Sequence, residues 1–115
     1  FWVCSADLSQ IVYTSPTYEK IFGRQMTNFN EGAKSFLDAI YTEDKQRIDI
    51  ALQSLIQGTQ LDEEYRIVRP DGQVRWIHNR AFASLDISGN IQYITGIAED
   101  VNDRKGASLN LVADK

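Results

Sequence analysis

The chain has one cysteine and one histidine in 115 residues, and this scarcity excludes several classes of site. Cys4 alone cannot form a disulfide framework or a multi-cysteine zinc or iron–sulfur centre. His78 alone cannot make an HExxH zinc motif, and any catalytic triad that needs a histidine would depend on this residue. We therefore predict no metal site and no catalytic residues.

Long apolar runs and an excess of positive charge are also lacking. No stretch approaches the roughly 20 apolar residues that span a bilayer, and no signal peptide opens the chain. We therefore expect a cytoplasmic location and no direct membrane contact. Twelve basic and sixteen acidic residues give a net charge of −4, which argues against nucleic acid as a partner, because binding its phosphates needs clustered positive charge.

The overall amino-acid composition is typical of one small globular domain. Hydrophobic residues make up 43% of the chain and charged residues 24%, both close to the globular average. We predict a domain over residues 1–105 and an exit linker or frayed tail over 106–115, which is polar and lacks an apolar stripe. The chain begins with Phe1 and not Met, so we expect a longer parent protein, in which any membrane anchor lies elsewhere.

The first half of the chain predicts a hairpin followed by helices. Residues 1–5 and 11–14 are β-prone and closely spaced. Ser15 and Pro16 are typical of a helix start, and Gly23 of a helix end. A loop over 26–32 and a short helix within 33–41 follow. Thr42 is predicted to cap the longest helix, whose apolar residues recur every three or four positions until Gly58.

After Gly58 the apolar spacing changes to strict alternation, which predicts strands over 61–68, 74–85 and 91–101. Turn residues at 70–72 and 88–90 connect them. Strands joined by such tight turns are antiparallel. Helices between two groups of strands cover one face of a single sheet, so the fold class is α+β.

Five segments, in this order and spacing, resemble the PAS domains of bacterial sensor histidine kinases and diguanylate cyclases. They are VYTSPTYEKIFG at 12–23, FL at 36–37, YTED at 41–44, EYRIVRPDG with VRWI at 64–77, and GIAEDVNDRK at 96–105. The chain departs from the family pattern at Tyr41 and Thr42, where His and Pro are usual, and at Val101 and Asn102, where Ile and Thr are usual. The family's N-terminal cap helix is also missing.

The resemblance implies a five-stranded antiparallel sheet, with spatial order 2-1-5-4-3, whose helices pack on one face over a small cavity. PAS domains sense a ligand, redox state or light, or simply dimerise, and pass their state to an attached output domain. They are not enzymes themselves. The resemblance therefore implies a regulatory module of a bacterial signal-transduction protein, such as a two-component histidine kinase or a diguanylate cyclase, that forms a homodimer through PAS surfaces.

A ligand pocket is expected between the inner face of the sheet and the helices. Asn79 lies on a strand face that is otherwise apolar, so its amide needs a partner, and a bound ligand is one candidate. Gly96 has no side chain and is expected to leave room beside it. The predicted pocket residues are Phe22, Phe36, Ile40, Leu52, Asn79 and Gly96.

A signal-relay site is expected where the last strand meets the exit segment. The resemblance makes Asp100 a hinge residue that bonds to free N–H groups of the turn and to a nearby basic side chain, either Arg80 or Arg75. Asn102 keeps a local hydrogen-bonding side chain in place of the usual Thr. The predicted relay residues are Asp100, Asn102 and Arg80.

No cofactor is predicted, although an unidentified small molecule is compatible with the pattern. Cys4 does not lie in the Gly-x-Asn-Cys-Arg-Phe motif of flavin-adduct PAS domains, and the long helix has no histidine of the kind that ligates haem. Two alternatives stay open at this point. One is a small α+β enzyme, an isomerase or hydrolase with a cavity under the sheet, and the other is a ligand-free dimerisation module.

Overall fold

The computed structural model describes residues 1–23 and 33–105. Two short strands and then three helices make up its first half, and three longer strands make up the second. In chain order the elements are β1 (Trp2–Ser5), β2 (Ile11–Thr14), α1 (Pro16–Phe22), α2 (Ala33–Asp38), α3 (Thr42–Ile56), β3 (Leu61–Val68), β4 (Val74–Leu85) and β5 (Ile91–Asp100). The loop predicted within 26–32 and the tail predicted at 106–115 lie outside the described residues.

The five strands form one antiparallel sheet in the order β2-β1-β5-β4-β3. The predicted α+β class and strand order are thereby confirmed. Helix α3 packs against β3 and β4, and α1 against β5, so the helices cover one face of the sheet. We call the face under the helices the inner face and the opposite one the outer face.

Alternation along β4 and β5 decides which side chains reach the core. Ile77, Asn79 and Ala81 of β4 are buried, as are Ile94 and Ala98 of β5. In the antiparallel register Asn79 lies opposite Ala98, and Ala81 lies opposite Gly96. Side chains two residues apart on a strand point to the same face, so these residues form the floor of the core.

The helix ends follow their sequence signals with one correction. Ser15 caps α1 by accepting a hydrogen bond from the backbone N–H of Tyr18, and Gly23 ends this helix with a φ of 69°. Thr42 does not cap α3, because it is the first residue of that helix; the capping position belongs to Tyr41, whose side chain makes no capping bond. The prediction that Thr42 caps the helix was therefore wrong by one position.

The core lies between the inner face and the helices, with a chain of aromatic rings through it. The rings of Tyr18 and Phe22 stack with centroids 4.5 Å apart. Phe22 contacts Phe36 at 5.8 Å, and Phe36 meets Tyr65 edge-on at 5.7 Å. Offset and edge-on contacts of this kind stabilise aromatic pairs beyond the area they bury.

The chain remains structured beyond the last strand. Residues 102–105 form a helical turn, in which the N–H of Lys105 donates to the carbonyl of Val101 over 2.9 Å. Within residues 1–23 and 33–105, no helix has the length and apolar character needed to cross a bilayer.

Candidate functional site

The six predicted pocket residues all reach the core. Phe22 and Ile40 are fully buried, and Phe36, Leu52 and Asn79 are nearly so. Gly96 lies among them on the inner face of β5. Two expectations behind this choice, free room beside Gly96 and a ligand as the partner of Asn79, do not match the contacts that the structure shows.

The space above Gly96 is filled, which corrects the expectation of free room there. Trp2 of β1 is the cross-strand neighbour of Gly96. A Cβ atom added to Gly96 would overlap the indole ring of Trp2. Glycine is therefore needed at this position because an aromatic side chain of the same sheet covers its backbone.

The amide of Asn79 has two partners within the chain. Its Oδ1 accepts the indole N–H of Trp2 over 3.1 Å, and its Nδ2 donates to the hydroxyl of Tyr65, also over 3.1 Å. The sequence correctly indicated that this buried amide needs partners, but they are side chains of β1 and β3 and not a ligand. Burial raises the pKa of Tyr65 far above its usual range, so its hydroxyl stays neutral.

The remaining core cavity is small and lies toward β1 and β2. Its volume is about 20 Å³, enough for one water molecule by the usual criterion. Of the predicted pocket residues only Phe36 and Leu52 line it. The described residues that line it are Trp2, Cys4, Leu8, Ile11, Thr14, Tyr18, Phe36 and Leu52.

Cys4 borders this cavity but is not a reactive thiol. It is buried, and that burial raises the pKa of its thiol to about 12. The nucleophilic form of cysteine is the thiolate, which is therefore scarce at neutral pH. Cys4 therefore packs as a small hydrophobic residue.

The end of β5 is tied to β4 by Asp100 and Asn102. Asp100 Oδ2 accepts from Arg75 Nε over 2.5 Å, and Asp100 Oδ1 accepts the backbone N–H of Asn102 over 2.9 Å. Asn102 Oδ1 in turn accepts the backbone N–H of Trp76 over 3.2 Å. The ion pair with Asp100 raises the pKa of Arg75.

Of the two arginines predicted as the basic partner of Asp100, the structure shows Arg75 in that role and not Arg80. Arg80 lies opposite Ile97 on the outer face, whereas Asp100 lies opposite Ile77 on the inner one. With this register, alternation along β4 places Arg75, and not Arg80, on the same face as Asp100. The structure therefore brings Asp100 and Asn102 together and leaves Arg80 apart from them.

The helical turn after β5 is also held by its basic side chains. Glu64 of β3 binds Arg104 Nη2 at 2.7 Å and Lys105 Nζ at 2.9 Å. The ammonium group of Lys105 also lies 4.9 Å from the ring centroid of Trp76. Sequence pattern did not predict these contacts, because Glu64 and Arg104 lie 40 positions apart in the chain.

A buried carboxylate at the start of α3 was also missed. Asp44 Oδ2 accepts from the backbone N–H and Nε of Arg66, and its Oδ1 accepts from Nη2, over distances of 2.8–3.0 Å. The guanidinium of Arg66 also lies over the ring of Tyr41, 4.3 Å from its centroid. The only signal in the sequence was an acid in the first turn of a helix, which helix-dipole stabilisation explains equally well.

The outer face carries exposed apolar side chains and the single histidine. Tyr13, Phe82, Tyr93 and Ile97 are 50%, 50%, 43% and 45% exposed, and the strand registers place them on this one face. We call these four residues the outer apolar patch. His78 Nε2 lies 2.6 Å from Asp62 Oδ1 on the same face, away from the core cavity.

Comparison with known proteins places this fold and sequence among sensory domains. The family model described as PAS fold matches residues 11–98. A blue-light-activated histidine kinase of Brucella ovis is 33% identical over 76 residues, which are 66% of this chain and 15% of that protein. The chain therefore spans only about a seventh of the length of this curated relative.

Two solved structures share the architecture. A sensory box histidine kinase/response regulator from Burkholderia thailandensis has a TM-score of 0.75 and 26% identity, with 98% of this chain and 84% of that chain covered. The N-terminal domain of a diguanylate cyclase with a PAS/PAC sensor, from Marinobacter aquaeolei, has a TM-score of 0.80 and 18% identity, with 90% and 95% covered. At that identity the second likeness concerns the fold alone.

Proposed function

Because this chain belongs to the PAS fold family, we propose that it is the sensory module of a signal-transduction protein and passes its state to an attached output domain through the segment after β5. A kinase output domain agrees with the curated relative, which is named as a histidine kinase. The chain accounts for only a small part of such a protein. Activity of the whole protein would therefore reside elsewhere in it.

The observation that carries this proposal is the double attachment of the exit segment. Asp100 joins the end of β5 to Arg75 of β4, and Asn102 joins the following turn to the backbone of Trp76. A change in the relative position of β4 and β5 would thus move the start of the exit segment. Hydrogen bonds to charged groups are about twice as strong as neutral ones, so Asp100 is the firmer of the two links.

The test measures the output activity of the full-length parent with Asp100→Ala, with and without stimulus. We expect a folded protein whose output no longer follows the stimulus. The matched control is Asp86→Ala, because the Asp86 carboxylate also accepts two hydrogen bonds, in this case from the backbone N–H groups of Ser88 and Asn90, but at the opposite end of β5. This control should respond as the wild type does.

Two results would count against the relay. Wild-type responsiveness of Asp100→Ala would show that Asp100 carries no signal. If the Asp100→Ala protein does not fold, Asp100 has a structural role. The variant Asp100→Asn then tests whether it also relays the signal. Asn at position 100 can still accept the N–H of Asn102 but loses the ionic bond to Arg75, so a relay role requires an altered response from that variant.

A flavin that forms a photo-adduct does not fit the residues of this chain, although the relative's name mentions blue light. Cys4 is the only cysteine in the sequence, and its raised pKa disfavours the thiolate. Trp2 covers Gly96, and the cavity of about 20 Å³ is far smaller than the 300–1,000 Å³ of usual ligand sites. Any sensed molecule must therefore be of another class or must displace core side chains.

Self-association is a second candidate role, favoured by the outer apolar patch. Four large apolar side chains, each about half exposed, share one face of the sheet. Exposed apolar patches of this kind commonly mark protein–protein contacts, and a twofold dimer buries the same patch on both subunits. We propose a homodimer through this face. The small-enzyme alternative gains no comparable support, since the described core cavity has an apolar lining and His78 faces away from it.

A further inference from the structure

The single histidine lies beside the carboxylate that holds the helical turn at 102–105, which we call the exit turn. His78 of β4 is the cross-strand partner of Glu64 of β3. Side chains directly opposite each other in an antiparallel pair share a face, with Cβ atoms about 4.5–5.5 Å apart. Glu64 in turn binds Arg104 and Lys105 of the exit turn. A change of charge on His78 would therefore act on the ion pairs that hold this turn against the sheet.

The imidazole of His78 lies among charged side chains on the outer face. Its Nε2 is 2.6 Å from Asp62 Oδ1, and Glu99 of β5 lies opposite it on the other side. Because an ionised carboxylate only accepts hydrogen bonds, Nε2 carries the proton of the neutral ring, and acid adds the second proton at Nδ1. The charged groups around the imidazole on β3, β4, β5 and the exit turn are Asp62, Glu64, Arg66, Arg80, Glu99, Arg104 and Lys105.

The carboxylate of Glu64 keeps its charge over the range in which histidine titrates. Imidazole is the side chain whose charge normally changes between about pH 5 and 8, whereas carboxylates, lysine and arginine are normally charged throughout that range. The hydrogen bond from Lys105 lowers the pKa of Glu64. Glu64 therefore stays negative and can interact with both the imidazole and the exit turn while the imidazole gains its charge.

The ion pairs of the exit turn are weak enough for one added charge to change their balance. The side chains of Glu64, Arg104 and Lys105 are all partly exposed to solvent. Ion pairs between exposed side chains contribute little individually, and a unit charge a few ångströms away has an effect of similar size in water. A protonated His78 attracts Glu64 and repels both cations. Protonation therefore lowers the fraction of molecules in which the exit turn is docked.

We propose that His78 is a pH-sensitive switch for the exit turn. A neutral imidazole leaves Glu64 to the two cations of the turn, and a protonated imidazole competes with them, so the turn undocks as the pH falls from about 8 to about 5.5. This inference rests on the proposed sensory function, for which it names the proton concentration as a stimulus. The docking of the turn itself can be measured without any output domain.

The test follows the ¹³Cα chemical shifts of Arg104 and Lys105, which report helical backbone, from pH 8 to pH 5.5 in the 115-residue chain. In the wild type both shifts should move toward coil values together with the titration of the His78 ring. The ratio of docked to undocked turn should fall roughly threefold to fivefold. His78→Gln is neutral and can still donate to Asp62, so it should keep the docked shifts at both ends of the range. His78→Lys carries a fixed charge and should show the low-pH shifts already at pH 8.

A second control removes the carboxylate for which His78 competes. Glu64→Gln should leave the exit turn undocked at every pH of the series. Three results would overturn the switch: shifts that do not follow the imidazole titration, a turn that docks more firmly as the pH falls, or an undiminished pH response in His78→Gln, which retains the other titrating groups, including the amino group of Phe1. If a variant does not fold, the wild-type titration alone can still refute the proposal. Because these measurements leave Asp100 unchanged and need no output domain, they can fail while the Asp100 relay holds, and the reverse.

Discussion

Asp44, in the first turn of α3, binds Arg66 of the edge strand β3 through both of its carboxylate oxygens. One of these oxygens also accepts the backbone N–H of Arg66. The Arg66 hydrogen bonds lower the pKa of Asp44 against the opposing effect of its burial, and the same carboxylate raises the pKa of Arg66. This pair joins the longest helix to the edge strand β3, beside the backbone hydrogen bond that the N–H of Tyr41 donates to the carbonyl of Arg66 over 2.9 Å.

We predict that the Asp44–Arg66 pair makes the stability of the domain depend on pH in the acid range. The folded-state pKa of Asp44 lies below its unfolded value of about 3.9. Its contribution is therefore complete above that value and is lost as the pH falls toward the folded-state pKa. Asp44→Asn should lower the free energy of unfolding at pH 7 by about 1.5–3 kcal/mol, and by progressively less below pH 4.

Urea unfolding of the wild type and of Asp44→Asn, measured from pH 7 to pH 2.5, checks this pH dependence. The matched control is Asp49→Asn, because Asp49 is an exposed carboxylate on the same helix. Substitution of an exposed residue should change the unfolding free energy by no more than about 0.5 kcal/mol. A difference between Asp44→Asn and wild type that is the same at every pH would contradict the prediction.

The packing of Trp2 on Gly96 predicts that even one added methyl group is harmful. Gly96→Ala places a Cβ in the space of the indole, so the ring must shift, and overpacking of this kind costs about 1–3 kcal/mol. The cost should largely disappear when Trp2→Leu is already present, since a smaller side chain leaves room for the Cβ. Chemical unfolding of the two single variants and the double variant measures this coupling. Additive losses would show that the cost of Gly96→Ala has another origin.

What the sequence could predict depended on how far apart the interacting residues lie in the chain. Local patterns were enough for α1 and α3, for the three-stranded meander, and for the buried position of Asn79. The partners of Asn79 were out of reach, because the β1–β5 pairing brings Trp2 beside Gly96 across 94 positions of sequence. Alternation alone could not choose between Arg75 and Arg80 either, since that choice needs the register of β4 against β5.

The buried position of Cys4 predicts a very unreactive thiol. With a pKa of about 12, only about one thiol in ten thousand is ionised at pH 8, whereas a free cysteine has a pKa near 8.5. A disulfide reagent at pH 8 should therefore modify the native domain at least about 100-fold more slowly than the urea-unfolded chain. Absorbance of the released thiolate follows the reaction. Similar rates in the two states would show that Cys4 is accessible and ionised in the folded domain.

The outer apolar patch predicts self-association that one charge can abolish. Phe82 of β4 lies opposite Thr95, midway along the strands between the rows that hold Tyr93 and Ile97. A glutamate at this position in a twofold interface would place two like charges close together and bury both. Phe82→Glu should therefore weaken the dimer at least tenfold, about 1.4 kcal/mol, without unfolding the domain, because Phe82 is half exposed in the monomer.

Sedimentation velocity over a concentration series is the measurement, and Ile50→Glu is its matched control. Ile50 is also an exposed aliphatic residue, 61% accessible, but it lies on α3 and so on the opposite side of the sheet from the patch. Wild type and Ile50→Glu should associate alike as concentration rises, and Phe82→Glu should stay monomeric. A monomeric wild type would remove the homodimer from the proposal. Equal weakening of the dimer by both substitutions would indicate general charge repulsion, which does not depend on which side of the sheet carries the glutamate. That result would contradict a contact through the outer face.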